Sequence, residues 1–371
     1  MEVNNKKYVE LVWYQKYDKL ELGEKIPIEK PNLPFQIVET VNEPRLKEYE
    51  TAMGREFYPK SEYPPNYPKD WKNLLIWGDN KLVMSSLIKQ GWAGKINLIY
   101  IDPPFFTGAD FTVRTKLGDE EIAKEPSIIE ERAYKDTWSG GIASYLKYMY
   151  ERLVLMRELL AENGTIWVHL DEHVGHYVKV IMDEIFGYDN FINQIIWHYP
   201  DNFQGWLKQR YPNNYSFILA YSKILGTKIE RLKIGLDQPI KRPTRKWDKE
   251  AGRLKVDRDE SGKIIYIEYE KKYLDDVWTI PQRPVVVPKA DEYLGYNTQK
   301  PEELLRRVIL SASNPGDIVA DFFCGSGTTL AVAEKLGRRW IGSDLSKFAI
   351  QVTRKRLLDI HNSKDLMEDD R

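Results

Sequence analysis

The sequence predicts an α/β protein with a mixed, mostly parallel β-sheet and helices on both faces. Three stretches support this prediction: a strand-like run at 73–77 followed by a helix, an apolar run at 96–101, and a strand, glycine turn and helix over 317–336. A short apolar run between turn-forming residues is typical of a buried strand in a parallel sheet. Strands that alternate with helices predict β-α-β units.

Composition limits the classes of protein that need to be considered. The 371 residues are 42% hydrophobic and 12% aromatic, enough for one large core and a smaller module. The net charge of −1 means that any nucleic-acid surface must be a local patch. Cys324 is the only cysteine, which excludes an internal disulfide and a cysteine zinc site. Without a long apolar run or a signal-peptide pattern, we expect no membrane contact and a cytoplasmic location.

The first part of the chain divides into an arm and the start of the main domain. Residues 1–70 are interrupted by prolines and are predicted to form an N-terminal arm. The main domain begins at 71, and its first half is expected to extend to 222. Its first β-α-β unit spans 73–101, and its two strands are expected side by side, so that Asp79 and Asp102 line one crevice. A helix N-cap is the alternative role for Asp79.

The central motif is Asp102-Pro103-Pro104-Phe105, directly after the apolar strand. Ligands of open α/β sheets bind beyond the carboxyl ends of the strands, so Asp102 is expected at the edge of a cleft. Prolines stiffen the turn and leave carbonyl acceptors without matching N–H donors. A carboxylate beside such a carbonyl can accept both hydrogens of one exocyclic amino group, and Phe105 can stack on the ring that carries it. A turn that only ends the strand is the alternative.

Further elements follow this motif. Residues 106–141 are predicted as a long loop that acts as a lid and ends with Asp136-Thr-Trp138. Helices are predicted over 145–160 and 174–186, the second capped by Asp171 or Glu172, and strands over 165–170, 191–197 and 216–221. His169, His173 and His176 suggest a metal site, but a strand end and a helix start do not present them together, and we expect no metal.

Residues 223–290 differ in composition and are predicted to be an inserted region. Between 241 and 258 they carry eight basic residues against three acidic ones, with Trp247 among them. A basic segment with an aromatic residue fits contacts to phosphates and bases, and a solvated surface is the alternative. The residues predicted to bind DNA are Lys241, Arg242, Arg245, Lys246 and Trp247.

A second motif indicates a nucleoside site. The strand that ends at Asp321 leads into Gly325-Ser326-Gly327-Thr328 and a helix, and Asp344 ends the next strand 23 residues after Asp321. Glycines let the backbone approach a ligand, and an acid at the next strand end accepts ribose hydroxyls. Asp321 would repel a pyrophosphate but attract the ammonium group of an amino acid, which favours a methionine-type nucleoside over NAD.

The two motifs together, in this order, resemble the beta group of S-adenosylmethionine-dependent DNA amino-methyltransferases, in which the motif order is permuted. The resemblance covers about 73–357 and is close to the Mod subunits of type III restriction-modification systems. Gly78-Asp79-Asn80, Asp136-Thr-Trp138 and Thr298-Gln299-Lys300-Pro301 also match. It implies a Rossmann-like methyltransferase fold with a catalytic half at 71–222, a target-recognition region at 223–290 and a cofactor-binding half at 291–371.

The resemblance also implies roles for individual residues. The catalytic turn would be Asp102, Pro103, Pro104 and Phe105, where phenylalanine stands in place of the commoner tyrosine. The residues that would bind S-adenosylmethionine are Asp79, Thr298, Gln299, Lys300, Pro301, Asp321, Phe323, Gly325, Ser326, Gly327, Thr328 and Asp344. Asp321 and the glycine turn would hold the methionine part, Asp344 the ribose and Asp79 the adenine end.

The implied activity is methylation of a flipped-out base in double-stranded DNA. In the family, Asp at the position of Asp102 mostly accompanies adenine N6, so adenine is expected and cytosine N4 is the alternative. The resemblance further implies a restriction endonuclease partner and a homodimer. The rival interpretations are a nicotinamide-dependent oxidoreductase, a non-catalytic DNA-binding module, and a protein or RNA methyltransferase.

Overall fold

A computed structural model of the chain describes residues 11–13, 16–19, 24–25, 28–39, 71–105, 113–117, 120–124, 141–201, 211–249, 251–288, 290, 292–296 and 298–362. The chain forms two compact units. Residues 230–276 make up the smaller unit, and the flanking parts of the chain make up the larger one. The smaller unit falls within the predicted insertion of 223–290, whose recognition role stays a prediction.

The larger unit is built on one eight-stranded sheet. Its strands are β3 (Leu74–Trp77), β4 (Ile96–Ile101), β7 (Leu160–Leu170), β8 (Phe191–His198), β9 (Tyr215–Ser222), β14 (Val277–Thr279), β15 (Ile318–Asp321) and β16 (Arg339–Asp344). The strand order is β14-β8-β9-β7-β4-β15-β16-β3. Only β9 runs antiparallel to its neighbours, β7 and β8. The predicted mixed, mostly parallel sheet is therefore confirmed.

Six helices described in the larger unit form two groups of three, and a short seventh helix lies outside them. They are α1 (Asn80–Leu87, followed by a π-helical turn Ile88–Trp92), α2 (Ile142–Leu159), α3 (Gly175–Phe186), α4 (Arg283–Val286), α5 (Glu302–Ala312), α6 (Thr328–Lys335) and α7 (Lys347–Asn362). Helices α1, α2 and α3 pack together, as do α5, α6 and α7. All side chains from Leu98 to Ile101 on β4 are fully buried, so both faces of this strand are covered.

Three local expectations were wrong. β3 and β4 are not neighbours, because β15 and β16 lie between them. The predicted loop after Phe105 contains a hairpin of β5 (Val113–Leu117) and β6 (Glu120–Lys124), whose polar sequence gave no strand signal. Helix α3 begins after Val174 without a side-chain cap, since the Asp171 side chain accepts a bond from the His173 N–H instead. Trp138 and the rest of the predicted lid lie outside the described residues.

Described parts of the first 70 residues are attached to the larger unit. They include a short ribbon of β1 (Tyr17–Lys19) and β2 (Glu24–Lys25). Trp13 is buried in the core cluster, and the almost fully buried Lys16 forms an ion pair with Glu184 of α3 at 2.6 Å. A buried ion pair tolerates little rearrangement because a lone buried charge is unfavourable. In the described part of the chain, no helix is long and apolar enough to cross a membrane.

The smaller unit consists of two antiparallel ribbons. One pairs β10 (Lys233–Pro243) with β13 (Tyr266–Tyr273), and the other pairs β11 (Arg245–Asp248) with β12 (Arg253–Val256). Both ribbons expose most of their side chains, among them Trp247, Tyr269 and Tyr273. Such ribbons offer side chains for contacts instead of building a core.

Candidate active site

Asp102 lies at the carboxyl end of β4, in the middle of the sheet, and its side chain is only 16% exposed. Its Oδ2 atom accepts a hydrogen bond from the Lys300 ammonium group. Its Oδ1 atom is buried, and no donor among the described residues reaches it. A buried acceptor without a donor is costly, so the site presents an acceptor suited to a ligand N–H. The buried Pro103 follows directly and adds a carbonyl.

Burial and charge act on Asp102 in opposite directions. Burial is the largest effect and raises the pKa of the Asp102 carboxyl above its ordinary value, whereas the Lys300 charge and hydrogen bond lower it. The net effect of the surroundings is a raised pKa. Lys300 therefore offsets part of the penalty for an ionised carboxylate at this position.

His169, near the end of β7, lies next to the Asp102 carboxylate and is held by two hydroxyl groups. Its Nδ1 atom is 2.9 Å from the Tyr100 hydroxyl and 3.8 Å from Asp102 Oδ1, and its Nε2 atom is 2.7 Å from the Ser216 hydroxyl. Burial, followed by the Lys300 charge, lowers the pKa of His169 well below its ordinary value, so the ring is neutral. The Phe105 ring lies 5.9 Å from the His169 ring.

The three histidines that suggested a metal site have separate surroundings. His169 bonds to two hydroxyl groups, His173 bonds to Asp171 at 2.7 Å, and the His176 ring packs against Phe217. The support that Tyr100 and Ser216 give to His169 was missed by sequence reasoning, because it joins three strands that are distant in the chain.

The glycine turn lies next to Asp102, since β15 pairs directly with β4. Asp321 ends β15, is 2% exposed, and accepts hydrogen bonds from the Phe323 N–H at 2.9 Å and the Thr329 hydroxyl at 2.6 Å. Burial is the main reason that the pKa of Asp321 is raised to about 7. Asp321 thus holds the turn in shape as well as lying at the predicted methionine site.

The turn depends on glycine at two positions. Gly325 and Gly327 have φ values of +50° and +75°, which favour glycine, and a Cβ atom at Gly327 would lie 2.6 Å from the Thr353 side chain of α7. Asp344 at the end of β16 accepts bonds from the N–H groups of Gly325 and Ser346, both at 2.9 Å. The predicted ribose-binding carboxylate therefore already contacts the predicted methionine-binding turn.

Asp79 acts as the cap of α1. Its Oδ1 atom accepts bonds from the N–H groups of Lys81 and Leu82, and its Oδ2 atom pairs with Arg152 at 2.9 Å. Arg152 also bonds to Asn80, and its guanidinium group lies 3.4 Å from the ring centre of Tyr148. Sequence reasoning missed Arg152, although an arginine three residues after Met149 in an apolar helical stripe was an available signal.

The stretch Thr298–Pro301 connects the catalytic turn with the glycine turn. Lys300 reaches Asp102 through its side chain, and its carbonyl accepts a bond from the Thr328 hydroxyl at 3.2 Å. Gln299 is buried and bonds to the backbone of Glu292 and Leu294. Pro301 caps α5, and the Ser326 hydroxyl lies 3.3 Å from that of Thr328. Of this group, only Lys300 touches the catalytic turn.

The predicted DNA-binding residues all lie in the smaller unit. Opposite residues of an antiparallel pair point to the same side, so the register of β10 and β13 assigns side chains to faces. One side, here called the basic face, carries Lys233, Ile240, Arg242, Ile267, Tyr269, Lys271 and Tyr273. Lys241 lies on the other side, opposite Glu268. On the second ribbon, Lys246 pairs with Asp257, and Trp247 is 62% exposed.

The fold and the site define a class of enzyme. A mostly parallel sheet brings a carboxylate with an unsatisfied acceptor next to a glycine turn and two further strand-end acids, an arrangement suited to group transfer from a bound nucleoside. Comparison with known proteins identifies which enzymes of this class the chain belongs to.

The DNA methylase family matches residues 96–355. The chain is 32% identical over 339 residues to the type II methyltransferase M.EcaI of Enterobacter cloacae, covering 76% of this chain and 69% of that protein. It is 25% identical over 404 residues to the probable type III restriction-modification enzyme HindVI Mod subunit of Haemophilus influenzae, covering 77% of this chain and 50% of that one. It is 25% identical over 274 residues to the DNA adenine methyltransferase YhdJ of Escherichia coli K12, covering 71% and 77%.

The chain therefore belongs to the DNA methylase family, and it is a DNA methyltransferase that uses S-adenosylmethionine. The family resemblance predicted from the two motifs is confirmed. The methyltransferase assignment replaces the two rival interpretations, a nicotinamide-dependent oxidoreductase and a non-catalytic DNA-binding module. The chain spans about half the length of the HindVI Mod subunit.

The residues present fit S-adenosylmethionine. Gly325 carries no side chain, and a Cβ atom added there would lie 3.5 Å from the Tyr296 ring, so glycine leaves room for a ligand beside the turn. Two carboxylates of different surroundings, Asp321 and Asp344, end the strands on either side of this turn. A cationic amino group and ribose hydroxyls are suitable partners for them.

Proposed function

We propose that the protein methylates the N6 amino group of adenine in double-stranded DNA, with Asp102 as the central catalytic residue. The observation that carries this proposal is the buried Oδ1 atom of Asp102, which has no donor among the described residues and lies beside the cofactor-binding turn. An exocyclic amino group supplies the missing donor.

The chemistry of the amino group explains why this acceptor matters. The nitrogen lone pair is delocalised into the purine ring, so the group is a weak nucleophile. When Asp102 and the Pro103 carbonyl each accept one N–H, the nitrogen becomes pyramidal and its lone pair is localised. The lone pair forms the new N–C bond while the C–S bond breaks, and its electrons remain on sulfur. The nitrogen then releases one proton, for which Asp102 is the nearest base.

Bound S-adenosylmethionine supplies an electrophilic methyl group on a sulfonium centre. We assign Asp321, Phe323 and the turn Gly325–Thr328 to its methionine part, Asp344 to its ribose and Asp79 to its adenine end. Three neighbours support the same side of the site: the Thr298 carbonyl accepts a bond from the Lys300 ammonium group, the Gln299 side chain accepts one from the Leu294 N–H, and Pro301 precedes α5. The negative carboxylates favour a ligand with two positive groups.

The target base must leave the duplex to reach Asp102, because the amino group of a paired base is engaged in the stack. Phe105 is partly buried and lies near the His169 ring, so it is placed to replace lost stacking. Adenine is preferred over cytosine because the family resemblance associates Asp with adenine and because YhdJ is an adenine methyltransferase. N4 of cytosine is the alternative target.

Contacts with DNA are assigned to the smaller unit. Its basic face combines Lys233, Arg242 and Lys271 with the exposed rings of Tyr269 and Tyr273. Cations bind phosphates, and aromatic rings contact bases and sugars. Arg245 and Trp247 lie on one side of the second ribbon. Lys241 and Lys246 are assigned weaker roles, because each lies near an acidic residue.

The family resemblance supports a second copy of the chain as a partner, and the likeness to a Mod subunit supports a restriction endonuclease. We infer that the enzyme forms a homodimer and associates with a restriction endonuclease. Light scattering of the purified protein tests the first inference, and a solution that contains only monomers would contradict it.

Transfer of a labelled methyl group to DNA, RNA and protein tests the substrate class. We expect label on DNA, and we expect Asp102→Asn to reduce transfer by about 10²–10³-fold because one transition-state contact is lost. The variant should retain cofactor binding. Asp189→Asn, in an exposed turn, is the matched control and should be fully active. Near wild-type transfer by Asp102→Asn would contradict the assignment.

A further inference from the structure

The ion pair between Lys300 and Asp102 gives Lys300 a function other than cofactor binding. The ammonium group donates to Asp102 Oδ2 and to the Thr298 carbonyl at 3.2 Å, and both side chains of the ion pair are largely buried, 14% and 16% exposed. The two residues are 198 positions apart in the chain. The contact is therefore a property of the fold and not of a local turn.

We propose that Lys300 is the positioning residue of Asp102: its ammonium group fixes the rotation of the carboxylate and supplies the compensating charge that a buried carboxylate needs. This proposal rests on the proposed methyl transfer at Asp102. It removes Lys300 from the residues that contact S-adenosylmethionine.

The two oxygens of the Asp102 carboxylate have different surroundings, which supports different roles for them. Oδ2 is held by Lys300, and Oδ1 remains without a donor among the described residues. With one oxygen fixed, the other cannot rotate away from an incoming amino group. Lys300 is itself held by the Thr298 carbonyl, and its ammonium group lies 5.8 Å from the Phe105 ring centre. The ammonium group thus contacts the carboxylate and lies near the ring proposed to stack on the base.

The charges around Asp102 make Lys300 its main compensating group. His169 on β7 is neutral, and Tyr100 on β4 is protonated because burial raises the pKa of its hydroxyl well above the ordinary value. Asp171 after β7 opposes ionisation of Asp102, and Asp321 at the end of β15 is a further acid near it. Among the described residues, removal of Lys300 leaves Asp102 with neutral and acidic groups around it.

The test compares pH profiles of methyl transfer by wild type, Lys300→Met and Lys300→Arg. Loss of the cation makes Asp102 harder to ionise, so the acidic limb of kcat should move to higher pH by about 1–3 units in Lys300→Met. Lys300→Arg keeps the charge and should retain the wild-type limb. KM for S-adenosylmethionine should stay within about threefold in both variants. If Lys300→Met does not fold, Lys300→Gln, which keeps a donor but no charge, should show the same shift.

Two outcomes would separate the possible failures. A raised KM for S-adenosylmethionine with an unshifted acidic limb would overturn the proposal and return Lys300 to the cofactor site. An absence of methyl transfer by the wild-type enzyme would instead refute the proposed function.

Discussion

Three aspartates at neighbouring strand ends differ in how their charge is compensated. Asp102 is paired with Lys300, Asp344 accepts two backbone N–H groups, and Asp321 is bonded to one N–H and one hydroxyl. Of the three, Asp321 is the most buried, and no cationic side chain in the described part of the chain bonds to it. Its charge is therefore the least compensated until a cationic ligand binds.

Cofactor binding should depend on pH through Asp321. Because burial raises its pKa to about 7, the carboxyl is neutral below that pH and attracts an ammonium group weakly. We expect the dissociation constant of S-adenosylmethionine to rise as pH falls from about 7.5 to about 5.5, approaching tenfold per unit. Calorimetry of wild type and Asp321→Asn measures this dependence. An equally steep dependence in Asp321→Asn would contradict it.

At the residue scale, the acidic residues of the site could be predicted from the sequence, but the basic residues that pair with them could not. Asp102, Asp321 and Asp344 follow apolar runs, so their positions at strand ends were predictable. Lys300 was assigned to the cofactor, and Arg152 was not noticed, because their contacts join residues far apart in the chain. Such pairs depend on how the strands are ordered, which periodicity does not encode.

At the scale of elements, the smaller unit separates its charges by face. Lys271 lies on the basic face, whereas its neighbour Lys272 points to the other side and pairs with Asp275 at 3.2 Å. Adjacent residues of one strand point in opposite directions, so these two lysines form a matched pair of probes. Their comparison tests which face binds DNA.

We expect Lys271→Ala to weaken DNA binding and to reduce the salt slope of the affinity by about one, because one phosphate contact is lost. Lys272→Ala should leave both quantities nearly unchanged. Titration of a labelled duplex at several salt concentrations measures the slopes. Equal losses in both variants would contradict the assignment of the basic face.

Most strands with a clear apolar pattern were predicted to within one or two residues, but β7 begins at Leu160, five residues before its predicted start, and polar strands were missed. β4 matches its predicted limits because it is apolar over most of its length and is followed by Asp102, and β16 ends at Asp344 as predicted. The β5–β6 hairpin is rich in charged and polar residues and was taken for a loop. β-ribbons with few buried side chains give no signal of period two.

At the scale of the whole molecule, the order of strands assembles the site. β15 and β16 lie between β4 and β3, so the glycine turn and Asp344 stand between Asp102 and Asp79. Residues that are more than 200 positions apart in the sequence, such as Asp102 and Asp321, thereby meet at the carboxyl ends of neighbouring strands. Sequence reasoning placed β3 beside β4 because consecutive strands are often neighbours. The correct order requires knowing that the strands near 318 and 339 insert between them.

We propose that this arrangement methylates adenine N6 in DNA. The most direct measurement is transfer of labelled methyl from S-adenosylmethionine to unmethylated genomic DNA, followed by digestion to nucleosides and mass spectrometry. We predict N6-methyladenine with the wild-type enzyme and about 10²–10³-fold less of it with Asp102→Asn. N4-methylcytosine would contradict the choice of base, and absence of any methylated nucleoside despite cofactor binding would contradict the assignment of DNA as the substrate.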